Sequence, residues 1–158
     1  MVQRAVLKVV LRAILLGGLM GGALDLAYAM GATAFYGLAP TRVGLVIASG
    51  WLGQAAFNGG GEVVALGFAS HFGMSVLWAA IFATAASRWR MLVSRPLLSA
   101  IVYGLIVLLC MRLIVLPLSA YPRPVSFKPI PTLLDLLSHM FLFSLPITLA
   151  LKRAMTPR

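Results

Sequence analysis

Acidic residues are almost missing from this chain. Its 158 residues include three Asp and Glu, two His and one Cys. With so few carboxylates there is no glycosidase-like acid pair. A lone Cys110 inside an apolar run excludes an intrachain disulfide and leaves no thiol site of the Cys-x-x-Cys kind. Neither Cys-x-x-Cys-His nor His-Glu-x-x-His occurs, no Ser sits on a nucleophile elbow, and no Gly-rich loop is followed by Lys. Long polar stretches are also lacking, which leaves no room for a separate soluble domain. No catalytic residue and no metal site is therefore assigned.

What is present is apolar. The chain is 61% hydrophobic, with a mean hydropathy of +1.01, a composition for lipid rather than for a water-surrounded core. The formal charge of +10 does not mark a nucleic-acid binder, because its basic residues sit in short clusters at the ends of apolar segments. Anionic lipid headgroups are their natural partners.

The stretch from Arg12 to Tyr36 carries no charge between Arg12 and Asp25. At about 1.5 Å per residue it is long enough to cross a hydrocarbon core of roughly 30 Å. Gly17 with Gly21, and Gly18 with Gly22, are small residues four apart, which admit close approach of a second helix. Four residues beyond Gly21 comes Asp25, on the same face. A carboxylate at that depth belongs inside a bundle. Ahead of this stretch, Arg4, Lys8 and Arg12 recur every four residues and predict an amphipathic lead-in at the membrane surface. The apolar run far exceeds a signal peptide's 7–15-residue core, so it reads as an uncleaved first helix.

Further spans are predicted at about 62–87, 96–116 and 132–152, after a first helix at about 12–36. Glu62 suits a helix N-terminus behind the Gly59-Gly60-Gly61 turn, and Pro96 suits a first turn. Thr132-x-x-Asp135 resembles a capping box. Pro146 predicts a kink near Leu142. Between the third and fourth spans, Pro122, Pro124, Pro129 and Pro131 predict a stiff, extended loop. Trp51 and Trp89 read as interfacial anchors.

The segment at about 41–57 is too short and too rich in Gly for an ordinary span. Charge decides its place. If it does not cross, nine basic residues (Arg4, Lys8, Arg12, Arg88, Arg90, Arg95, Lys152, Arg153, Arg158) share one side, against Arg42, Arg123 and Lys128 on the other. If it crosses, the asymmetry reverses and shrinks. The positive-inside rule thus predicts an all-α integral membrane protein with four transmembrane helices, both termini cytoplasmic, and a short interfacial or re-entrant helix outside.

Five ionisable residues converge on the outer half of such a bundle: Asp25, His71, Arg112, Asp135 and His139. Helix rise places Asp25 about 18 Å from the cytoplasmic end of its span and His71 roughly 13 Å from the outer end of its own. Asp135 and His139 are one turn apart. Asp25 and Arg112 hold corresponding places on the first and third helices, where Gly17 also matches Gly104, and are expected to pair. Ser70-His71 and Ser138-His139 hint at a parallel duplication. Three readings share this cluster: a structural polar network, a pocket for a proton or small polar solute, and haem b ligated by His71 and His139.

Ser70-His71, the Leu116-Pro117-Leu118-Ser119 exit, the proline-rich loop and Asp135-x-x-x-His139 before a basic tail resemble the YagU-like family of bacterial inner-membrane proteins. The likeness covers mainly residues 62–153. It departs in having Ser70 and Ser138 where that family has Gly before each histidine. The resemblance implies a bacterial inner (cytoplasmic) membrane location and the topology above, with no particular chemistry. The expectation is a non-enzymatic protein without a resident cofactor. It is either an accessory subunit of a larger membrane complex or homo-oligomer, or a small-solute or proton-handling protein. The alternative is a haem- or metal-binding electron-transfer subunit.

Overall fold

A computed structural model describes residues 2–156, with side chains from Val6 onward; Arg158, counted above among the basic residues, lies outside them. The described residues contain helices and no strand. Four helices are long and apolar enough to cross a membrane. They are α1 (Val2–Phe35), α3 (Gly61–Arg88), α4 (Pro96–Leu118) and α5 (Pro129–Met155). The short helix α2 (Arg42–Leu52) lies between the first two and passes through a 3₁₀ turn, Gly53–Asn58. A single turn, Met91–Ser94, links α3 to α4.

Two boundaries depart from expectation. The basic lead-in is no separate surface helix. Nothing between Val2 and Phe35 breaks the helix, so the lead-in forms the first turns of α1, about 50 Å long in all. That helix ends because Gly37 adopts φ +74°, which lets Leu38 N–H reach back to the Thr33 carbonyl (3.2 Å). At the other end of the chain, α5 starts at Pro129, with a proline in its first turn. Thr132 is thus already inside the helix, and no side chain caps the α5 N-terminus.

α1 is the hub, packing along both α3 and α5, while α4 packs on α5. The two glycine pairs serve different neighbours. A Cβ at Gly17 would meet Ile147 Cα of α5 at 3.1 Å, and one at Gly21 would strike the Phe143 carbonyl. A Cβ at Gly18 would meet Val76 Cα of α3 at 2.9 Å, and one at Gly22 would meet Ser75 Oγ at 2.5 Å. Offsetting the pairs by one residue turns their faces by about 100°, enough to receive two helices at once. Gly104 does the same for α4, whose backbone approaches Met140 Cα of α5 to 2.6 Å from where its Cβ would be. The order round the bundle is α3, α1, α5, α4. It is an open arc, because α3 and α4 hardly touch backbone to backbone among the described residues.

Near the end that holds both chain termini, side chains close this gap. Tyr103 of α4 donates its hydroxyl to the Trp78 carbonyl of α3 (2.6 Å), and its ring packs on Phe82 with centroids 4.9 Å apart. Ala79, Ala86, Ile147 and Leu151, each 0% exposed, complete the apolar core there. Near the other end the gap stays open. There α2 lies along the start of α3, seated where a Cβ on Gly67 would strike the Gly44 carbonyl. The Ala120 N–H donates to the Gly50 carbonyl (2.9 Å), strapping α2 to the exit of α4.

Both α4 and α5 widen into π turns in this open half, at Met111–Val115 and Ser138–Ser144. Each precedes a proline, Pro117 or Pro146. A proline cannot donate to the carbonyl four residues back and crowds it. In both helices that residue, Leu113 or Leu142, lies within the widened turn. The kink expected near Leu142 therefore takes the form of a π turn.

Candidate functional site

The π turns carry the chemistry. Arg112 lies in the first, and Ser138 and His139 lie in the second. Asp25 comes from α1, one turn beyond Gly21 on the face that meets α5. Its Oδ1 accepts from the Ser138 hydroxyl at 2.7 Å, and His139 Nδ1 stands 3.8 Å from the same oxygen. Asp25 and His139 side chains are 13% and 15% exposed.

Arg112 does not pair with Asp25. α5 lies between α1 and α4, so the guanidinium meets α5 first. Its Nη2 donates to Asp135 Oδ2 at 2.7 Å, and its Nη1 donates to Thr132 Oγ1 (3.1 Å) and to the Ser126 carbonyl (2.7 Å). Phe127 stacks beneath it, 5.3 Å from the guanidinium carbon to the ring centroid. Thr132 and Asp135, which the sequence casts as a capping box, are instead the arginine's clamp. Arg112 thus ties the proline-rich loop and the first turns of α5 to α4.

The histidines lean on backbone. His139 Nδ1 lies 2.9 Å from the Asp135 carbonyl oxygen, and 3.7 Å from its carboxylate. His71 Nε2 lies 2.9 Å from the Gly22 carbonyl oxygen of α1. A carbonyl oxygen only accepts, so the proton in each pair resides on the histidine nitrogen named. The two Ser-His dipeptides otherwise differ. Ser138 addresses Asp25, whereas Ser70 donates to the Leu66 carbonyl and receives Trp51 Nε1 (3.0 Å) from α2.

Asp25, His71 and His139 share one wall of a cavity of about 690 Å³ that fills the gap between α3 and α4. That is the size of a small-molecule site. Met74 and Trp78 of α3, Met111 and Val115 of α4, and Phe143 of α5 make most of the remaining lining apolar, with Ser70, Ser75 and Ser119 as its other polar side chains. Trp51 and Leu118 also border it and are 68% and 83% exposed, so the cavity reaches the surface beside the α2 strap. Trp78 Nε1 is buried and has no hydrogen-bond partner among the described residues. Arg112 and Asp135 stand behind this wall, not in it. No group of three or more His, Cys, Asp or Glu gathers in metal-ligating fashion among the described residues.

The sequence points to the charged members and not to three groups beside them. Ser138 was noted only for its place before His139, and Trp78 Nε1 and the Gly22 carbonyl carried no signal at all. A serine directly before a histidine opposite a buried Asp was the one available clue. In comparisons with known proteins the chain matches no family model, no curated protein and no solved structure.

Proposed function

We propose that this is a non-enzymatic membrane protein that binds a small amphipathic molecule in the cavity between α3 and α4. The single observation behind this reading is the cavity itself, mainly apolar in lining, with Asp25, His71 and His139 on it and an opening beside Trp51 and Leu118. Trp51 reads as an interfacial anchor and Leu118 ends α4, so in a bilayer the ligand enters from the headgroup side. The bland alternative, a polar network that only fixes helix register, needs no cavity beside it.

The same reading sets the protein in a bacterial inner membrane, as its resemblance to YagU-like proteins implies. The basic ends of α1, α3 and α5 lie in the cytoplasm and the cavity in the outer half. Arg90 and Lys152, which border a second hollow at the terminal end, then meet anionic headgroups. A haem b subunit is the second reading, favoured by one fact: both histidines line one cavity and each has a ring nitrogen left over. A Soret band in the purified protein would establish it.

The test of the leading reading is photo-crosslinking in native membranes with an alkyl diazirine. Adducts are expected to concentrate on residues 74–78 and 107–118, and Met111→Trp, which fills the cavity, is expected to lower them several-fold. Labelling spread evenly over the lipid-facing side chains, unchanged by Met111→Trp, would sink the proposal.

A further inference from the structure

We propose that the ligand of this cavity carries a protonated amine as its polar head. The inference rests on the binding reading above and adds the chemistry of the head. It starts from what the polar wall has left to offer. His71 spends its Nε2 proton on the Gly22 carbonyl and His139 spends its Nδ1 proton on the Asp135 carbonyl. In a neutral imidazole the remaining nitrogen, Nδ1 of His71 or Nε2 of His139, is an acceptor. Asp25 gives one oxygen to Ser138 and keeps the rest of its acceptor capacity. The three titratable groups on the wall therefore all ask for hydrogen-bond donors.

Charge points the same way. Asp135 is matched by Arg112 at 2.7 Å, and both stand behind the wall. Asp25 faces no Lys or Arg within ion-pairing distance among the described residues; the group nearest to charge balance is His139, 3.8 Å away. With both histidines counted as neutral and both carboxylates as ionised, the cluster of Asp25, Arg112, Asp135, His71 and His139 has one formal negative charge in excess, at a depth where an uncompensated carboxylate is expensive. An ammonium in the cavity supplies both the missing positive charge and up to three donors. A carboxylate or phosphate head would meet Asp25 with like charge and few donors: Trp78 Nε1 is unpartnered, whereas Ser70, Ser75 and Ser119 donate to backbone carbonyls and Trp51 Nε1 donates to Ser70. A hydroxyl brings one donor to these three acceptors and leaves the charge unmatched. An apolar body of modest length fills the remainder against Met74, Met111 and Phe143.

A rival for the same charge is a second proton on His139, taken at Nε2, which makes the ring a cation beside Asp25 and Asp135. With that proton in place the cavity would prefer an uncharged head. The two situations differ in which ligand wins, and that is measurable.

The experiment is native mass spectrometry of the full chain in nanodiscs, with dodecylamine, dodecanol and dodecanoate offered in pairwise competition. The shared tail makes the head the only variable. Dodecylammonium is expected to occupy the protein about tenfold more than dodecanoate and several-fold more than dodecanol. Asp25→Asn keeps an acceptor for Ser138 and removes the charge; it is expected to cut the ammonium's advantage over dodecanoate about tenfold. Dodecanol or dodecanoate winning in the wild type would overturn the amine head and leave the cavity's binding role standing. An ammonium preference untouched by Asp25→Asn would also overturn it. Failure of all three probes to bind would remove the binding role itself. The head-group order in the wild type decides the matter even if Asp25→Asn does not fold.

Discussion

The two halves of this bundle solve the same packing problem in opposite ways. Near the chain termini, α3 and α4 are held together by Tyr103, Phe82 and Trp78, over a floor of alanines with no exposed surface. Near α2 the same two helices part, and α4 and its neighbour α5 widen into π turns and present ionisable groups. Lipid gives no hydrophobic drive for helices to associate, so close packing and hydrogen bonds must supply it. The terminal half uses all of that capacity for cohesion. The open half gives up contact between α3 and α4 and keeps polar groups beside the gap.

This contrast can be broken. The largest effect is expected from truncation in the packed half. Ile147→Ala removes atoms that are fully buried and should cost about 2–4 kcal/mol, against under about 1 kcal/mol for Ile114→Ala on the cavity rim. Reversible unfolding of both variants in mixed micelles measures the difference. Equal losses would mean that the open half is packed as tightly as the other.

Next comes the hydroxyl that holds Asp25. Ser138→Ala leaves the carboxylate one donor short and should cost roughly 1–2 kcal/mol by the same assay. Ser70→Ala, in the matching dipeptide, should cost less than about 1 kcal/mol, because its partner Trp51 is exposed. A reversed order would place the buried network on α3.

How much of this was legible in the sequence depends on the distance over which each signal acts. Spacing by four was enough to put Gly17, Gly21 and Asp25 on one face, and charge asymmetry was enough to keep Arg42–Leu52 from counting as a span. Neither says which helix a face will meet. The expected pairing of Asp25 with Arg112 failed for that reason, since correspondence along two helices says nothing of a third lying between them. The capping-box reading failed on a local detail, the power of Pro129 to start α5 one turn early. The cavity was not legible at all, because it is made by two helices that fail to touch.

A smaller effect is expected at the Arg112 clamp. Asp135 is a third exposed, so Arg112→Gln should cost only about 1 kcal/mol. Its clearer mark is local: limited proteolysis should cut faster between Ser119 and Lys128, and Asp135→Asn should add little to it. Fully additive effects in the double variant would deny the ion pair. The smallest change is expected from Tyr103→Phe. It keeps the ring stack and loses the bond to the Trp78 carbonyl, for under about 1 kcal/mol. A much larger loss would make this single bond, rather than the surrounding side chains, the closure of the packed half.

The π turn at Ser138–Ser144 also has a consequence for how the chain tolerates changes in length. A widened turn holds a surplus residue, and each residue in a helix turns its successors by about 100°. Deleting one position between Ser138 and Ser144 would let α5 relax to ordinary winding while Phe143, Ile147 and Leu151 kept their places against α1. The deletion would be absorbed where it was made, and Asp25 would lose the pair of side chains that now meets it. The same deletion a few turns later, with no surplus to draw on, would swing the whole end of α5 out of register. In this helix the number of residues is a coordinate of the site, as much as their identity.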